Sequence, residues 1–195
     1  MRILAVADVE SQSLYEYYRP GKLSGFDLII GCGDLKEEYL EFLVTMADCP
    51  LVYVHGNHDE NHKKVPMGCI CIDDDLVVIN GLRIVGLGGS FKYREGEYMY
   101  TERQMKQRIQ RLSFKLWRRN GCDILVTHAP ARHLNDLETI PHRGFECFNR
   151  FLLKYRPRLF VHGHVHRNYN HDIPQKTVFN GTLVVNAFDY AIIEV

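Results

Sequence analysis

Pro50-Leu51-Val52-Tyr53-Val54-His55-Gly56-Asn57-His58-Asp59 is the stretch on which the fold turns. Leu51–His55 has the length and β-branched content of a strand, opened by a proline and closed by a glycine. Directly behind it stand an Asn, a His and an Asp, side chains able to hold a cation or carry a proton. The same design recurs on both sides. Toward the N-terminus, the strand Arg2–Ala7 runs into Asp8-Val9-Glu10, and Asp27–Gly31 runs into Gly33-Asp34. Toward the C-terminus, Asp123–Thr127 runs into His128-Ala129-Pro130, and Arg158–His162 into Gly163-His164-Val165-His166.

The segments between these strands set the fold class. A polar, Tyr-rich stretch covers residues 11–19, and Lys36–Ala47 reads as a helix with Leu40, Leu43 and Val44 on one face. This βαβαβ rhythm predicts a largely parallel sheet. The middle of the chain differs. Leu76–Ile79 and Arg83–Leu87 flank Asn80-Gly81, a strong hairpin signal. Thr101–Asn120 reads as a helix with a Thr101/Gln104 capping box, a stripe of Met105, Ile109, Leu112 and Leu116, and Gly121 as its stop. A further helix is expected over Gly144–Tyr155. Thr177–Phe179 and Thr182–Asn186 surround a second Asn-Gly pair, and Tyr190–Glu194 closes the chain. Parallel and hairpin connections together predict two mixed sheets packed face to face with helices outside, as one domain over residues 1–195.

Composition removes several classes. At 195 residues, 46% hydrophobic and 25% charged, the chain is neither disordered nor fibrous. Lys and Arg balance Asp and Glu at 24 each, and the pI is about 7.1, which argues against a non-specific nucleic-acid binder. No apolar run approaches the ~18 residues of a membrane span, and the first residues read as a buried strand rather than a signal, so a cytoplasmic location is expected. Cys32, Cys49, Cys69, Cys71, Cys122 and Cys147 read as reduced structural thiols; Cys69-Ile70-Cys71 has one spacer where a redox or zinc pair has two. Charge is uneven: residues 92–119 carry nine Lys and Arg against three Glu, whereas residues 1–60 carry four against eleven acids. The basic run reads as a solvated face, or at most as steering for phosphorylated substrates.

Ligands of open α/β sheets bind beyond the carboxyl ends of the strands. Five strand exits would therefore converge on one cleft. Its carboxylates, Asn and histidines are unlike a closed, Cys-rich structural zinc site. They suit two divalent ions sharing a carboxylate, with Mn²⁺, Fe, Co²⁺ or Zn²⁺ as the matching metals.

In that order, Asp-x-Glu, Gly-Asp, Gly-Asn-His-Asp, a lone His and Gly-His-x-His resemble the signature of the calcineurin-like metallophosphoesterases, over nearly the whole chain. The resemblance implies an α/β four-layer α/β/β/α sandwich of two mixed sheets. It implies a first metal on Asp8, Glu10, Asp34 and His166, and a second on Asp34, Asn57, His128 and His164. It gives His58 the role of general acid over the phosphate, oriented by Asp59. The activity implied is hydrolysis of a phosphate mono- or diester by a metal-bridging hydroxide, on a small phosphorylated substrate. Nucleic acid and membrane are not expected as partners, and the oligomeric state is left open. A nuclease, a weakened metal-binding module of the same fold, and a hydrolase of a non-phosphate ester are the alternatives. The family usually has His where Glu10 stands; an anionic, harder donor shifts the expected metal toward Mn²⁺, ahead of Fe, Zn, Co or Mg. His142-Arg143-Gly144 is similar to a segment of a small-phosphoesterase subgroup. It is expected to help bind substrate, with a helix opening at Gly144 as an anion seat beside Arg143. His55, His62, His133, His162 and His171 read as ordinary surface or core histidines.

Overall fold

Residues 3–7 alternate inward and outward yet are apolar on both sides, which is the pattern of a strand covered on both faces. The computed structural model, which describes residues 1–61, 65–168 and 173–195, builds four layers from this rule. His62 and His171 lie outside the described residues.

Strands β1 (Arg2–Ala7), β2 (Leu28–Gly31) and β3 (Leu51–Tyr53) pair in parallel, as the sequence predicts. A short parallel strand β4 (Cys69–Cys71) extends the edge beyond them. Helix α1 (Glu37–Ala47) lies between β2 and β3 in sequence. Hairpin β5 (Asp75–Ile79) and β6 (Leu82–Leu87) turns at Asn80-Gly81, where both residues have φ > 0, as a type I′ turn requires. Two-residue strands β7 (Ser90–Phe91) and β8 (Met99–Tyr100) pair apart from the main sheets. Helix α2 (Glu102–Arg118) begins with the expected capping box. Strand β9 (Ile124–Thr127), helix α3 (Glu146–Tyr155) and strand β10 (Leu159–His162) follow. The chain closes with β11 (Lys176–Phe179), β12 (Thr182–Asn186) and β13 (Asp189–Glu194).

Among the described residues, one sheet runs β13-β1-β2-β3-β4 and the other β11-β12-β10-β9-β6-β5. Ile3, Ala5, Ile30 and Val52 of the first face Ile84, Ile124, Val161 and Val185 of the second, forming the central core. Leu4, Val6, Ile29 and Leu51 point the other way, onto Tyr39, Leu40 and Leu43 of α1. Leu125 and Phe160 face Met105, Leu112 and Leu116 of α2 and Phe148 and Phe151 of α3. The Tyr-rich stretch packs on α1 through edge contacts of Tyr15 with Tyr39 and Phe42.

Two boundaries are corrected. Strand β3 stops at Tyr53, because the His55 amide turns away to the Asp73 carboxylate. Helix α3 starts at Glu146 rather than Gly144: the Gly144 amide is held by Asp136, and Phe145 pairs with Ala131. The first α3 amides, of Glu146 and Cys147, donate to the Glu102 carboxylate at 3.1 and 2.7 Å. That helix end is already neutralised and is not an anion seat beside Arg143. No helix among the described residues is long and apolar enough to cross a membrane.

Candidate metal centre

All five signature segments leave the carboxyl ends of parallel strands, three in one sheet and two in the other. Sheet stacking at β1 and β10 therefore brings both groups together. Gly163 makes the approach possible: a Cβ there would lie 2.6 Å from Ala7 Cβ and 3.0 Å from Asp8 Oδ2. The close fit lets the His164 amide donate to both Asp8 carboxylate oxygens at 3.0 Å. Asp8, Asp34 and His164 all have φ between 57° and 69°, a conformation that costs a non-glycine residue on the order of a kcal/mol. Three such residues in one cluster mark a place where side-chain direction outweighs backbone comfort.

The cleft is about 350 Å³ and is lined by Asp8, Glu10, Asp34, Asn57, His58, Asp59, His142, His164 and His166, among others. His128 lies buried at its floor. His128 Nδ1 is 2.7 Å from the Cys32 carbonyl, which can only accept, so Nδ1 carries a proton, and in the neutral ring Nε2 presents a lone pair. His164 Nε2 is 2.6 Å from the Pro141 carbonyl, so His164 Nδ1 is likewise a lone pair. These two lone pairs face each other at 3.1 Å. Asn57 Oδ1 lies 3.0 Å and Asp34 Oδ2 3.4 Å from His128 Nε2. With both rings neutral, four electron-pair donors converge with no donor hydrogen of their own between them. The arrangement repels itself unless a cation or an extra proton sits inside, and backbone carbonyls fixing the far ring nitrogens are the usual second layer of a histidine metal ligand.

The electrostatics favour positive charge at this point, from a cation or from a second proton on His128. Burial opposes a charged His128, and the Asp34 and Asp8 carboxylates outweigh it, so its pKa is raised. Burial, reinforced by Asp34 and Asp59, lifts Asp8 to about 7 against the pull of His128 and the His164 amide. His164 is pushed well below its ordinary value by burial and by His128. His166 Nε2 lies 3.8 Å from Asp8 Oδ1 on the more open side.

Glu10 reaches the cleft wall, where its Oε1 lies 3.3 Å from Lys36 Nζ. His58 is exposed at the rim; its amide donates to Asp34 Oδ1 at 2.8 Å. Asp59 Oδ2 accepts from the Gly56 and Asp34 amides at 2.6 and 3.0 Å and so anchors the loop on which His58 stands. His142 lines the cleft, beside the carbonyl that fixes His164. The Arg143 guanidinium lies 5.7 Å over the Phe91 ring. His162 is a buried core histidine, pushed down to about 4 chiefly by burial, and His133 is exposed. Sequence reasoning missed Lys36 and Tyr93 as cleft residues. It also missed the carbonyls of Cys32 and Pro141, which carry no side-chain signal.

The family description that matches residues 1–168 is calcineurin-like phosphoesterase. The chain belongs to that family. Calcineurin-like phosphoesterases generally bind divalent metal ions, in keeping with the donor set above. Metallophosphoesterase domain-containing protein 1 of human and of mouse is 27% identical over 122 residues, which cover 56% of this chain and 33% of each relative. The match thus spans a third of those relatives' length. Among solved structures, TT1561 of Thermus thermophilus superposes with a TM-score of 0.61 at 16% identity, covering 96% of this chain and 89% of that one. A 5′-nucleotidase from Candida albicans superposes with a TM-score of 0.54 at 14% identity, covering 95% and 45%. At such identities these likenesses bear on fold, and the phosphoesterase sandwich is the fold they share with this chain.

Proposed function

We propose that this calcineurin-like phosphoesterase hydrolyses small phosphate esters in the cleft beneath His58, using two divalent ions. The observation that carries the reading is the facing ring nitrogens of His128 and His164, 3.1 Å apart, with Asn57 and Asp34 turned to the same point. In this reading Asp34, Asn57, His128 and His164 hold one ion. Asp8, Glu10, Asp34 and His166 hold the other, so Asp34 is shared. Bound there, a metal pair supplies an activated water and neutralises phosphoryl charge.

The chain's own groups do the rest. His58, exposed at the rim and outside both sets, holds the proton that the leaving alkoxide takes up; imidazole suits this because its ordinary pKa is near neutrality. Asp59 keeps the His58 loop in place by tying it to Asp34 and Gly56. Lys36 and His142, both lining the cleft, offer polar contacts to the anion. The cavity is of a size that takes a small ligand. The name of the Candida relative adds nucleoside monophosphates to the candidate substrates.

The test is a panel of nitrophenyl mono- and diesters, alkyl phosphates and nucleotides with Mn²⁺, Zn²⁺, Mg²⁺, Fe²⁺ or Co²⁺. Turnover is expected with Mn²⁺ foremost, and Asp34→Asn should abolish it along with bound metal. His58→Ala should keep its metal and lose ~10²–10⁴-fold in kcat on alkyl esters, and much less on nitrophenyl esters, whose leaving group needs no proton. Two bound ions with no turnover on any phosphate ester would end the enzymatic reading. Equal losses on both ester types would remove His58 from the acid role.

A further inference from the structure

We infer a second, separate metal site, mononuclear and thiolate-bearing, formed by His55, Cys71 and Asp73 and selective for a borderline-soft divalent ion of the Zn²⁺ class. It stands independently of whether the main cleft is catalytic.

The register of the sheet edge creates it. Tyr53 of β3 pairs with Cys71 of β4. Two residues further on, just past the ends of both strands, His55 and Asp73 meet the Cys71 side chain. His55 Nδ1, Cys71 Sγ and an Asp73 carboxylate oxygen all lie within 4.8 Å of one another. His55 Nδ1 is 2.6 Å from Asp73 Oδ2 and 3.9 Å from Cys71 Sγ. Tetrahedral zinc needs N and O donors roughly 3.3 Å apart and N and S donors roughly 3.6 Å apart, from ordinary bond lengths. The triad straddles those values. An ion would displace the proton now shared by His55 and Asp73 and the Cys71 thiol proton, both released to solvent, open the His55–Asp73 contact by well under 1 Å, and draw the Cys71 thiolate in by a few tenths.

The surroundings hold these side chains in the way metal ligands are held. Asp73 Oδ1 accepts from the Gly88 amide at 2.6 Å and lies 3.8 Å from Arg108 Nη2, so its other oxygen is aimed at the triad. The His55 ring is clamped against Tyr98, centroids 4.7 Å apart and planes 2° from parallel. Cys71 is exposed, which leaves the fourth position to solvent. A simple ion pair would explain His55 and Asp73. It would not explain a solvent-facing thiol at the same imidazole nitrogen. One sulfur, one nitrogen and one oxygen donor favour Zn²⁺, Co²⁺ or Cd²⁺ over Mg²⁺ or Mn²⁺, whereas the main cleft offers no sulfur.

That difference gives the test. The protein is first saturated with Mn²⁺, then titrated with Co²⁺, and the near-ultraviolet thiolate-to-cobalt charge-transfer band is followed. One equivalent of Co²⁺ should saturate the band in the wild type, in Asp34→Asn and in Cys69→Ser. Cys71→Ser and His55→Gln should lose the band, while Cys71→Ser keeps the wild-type Mn²⁺ content, which shows that it is folded. A missing band in the wild type, a band that survives Cys71→Ser, or one that disappears in Cys69→Ser would overturn the assignment.

Discussion

At Glu10 the chain departs from the common family pattern, and the neighbouring residue explains how the departure is tolerated. An imidazole exchanged for a carboxylate adds negative charge where, in the proposed reading, an anion would enter. Lys36 stands 3.3 Å away on the same wall and offsets that charge. Glu10→His is expected to move metal preference from Mn²⁺ toward Zn²⁺ or Fe, the softer choices, and Glu10→Ala to weaken metal binding and rate together. Metal content by elemental analysis and kcat under each ion check this. Variants indistinguishable from wild type would mean that Glu10 serves Lys36 alone. Which residues gather at the cleft was legible at this scale, because Asp8, Asp34, Asn57, His128, His164 and His166 sit in recognisable short motifs. What fixes their direction was not. The Cys32 and Pro141 carbonyls and the positive φ of Asp8, Asp34 and His164 are backbone properties created by tertiary contact.

Helices and strands were read well where the pattern is long. Helix α2 has 17 residues, a capping box and a continuous apolar stripe, and its limits fall within two residues of expectation. Strand β4 has three residues with no alternation to detect. It was missed, and with it the juxtaposition of His55 and Asp73 was invisible. The start of α3 was misplaced because glycine at 144 resembles a helix opening, while its amide is committed to Asp136. The true N-terminus is capped from another helix, by Glu102. Glu102→Ala should therefore cost about 1–2 kcal/mol, the range for losing a strong N-terminal acceptor, and should leave metal binding intact. Urea unfolding of the variant beside wild type measures the loss; an unchanged midpoint would show that water replaces the carboxylate without penalty.

The four-layer arrangement follows from strands apolar on both faces combined with helices striped on one, so the whole-molecule architecture was accessible before any coordinate. Its energetic link to the cleft was not. Converging donor atoms and the buried Asp8 carboxylate oppose the folded state unless protons or a cation neutralise them. Any ion that binds only the folded chain stabilises it by mass action, about 2.7 kcal/mol at a hundredfold excess over Kd. Chelator-treated protein should melt lower than protein with Mn²⁺, and the difference should vanish in Asp34→Asn. Differential scanning calorimetry decides it; a Tm that ignores Mn²⁺ in wild type would contradict a folded-state ion site.

The hydrogen bonds between the His164 amide and Asp8 span 156 residues of sequence. Contacts of such separation carry the largest loop-closure cost and form late. On the ribosome, Asp8 and Asp34 emerge early, yet they have no partner histidines until β9 and β10 have been made and the second sheet has docked. Until β10 has been made, the acidic half of the cleft is exposed and incomplete. Under the proposed two-ion reading, metal capture would be a signal of finished folding: the first ion held tightly would be one that arrives after the two sheets have closed.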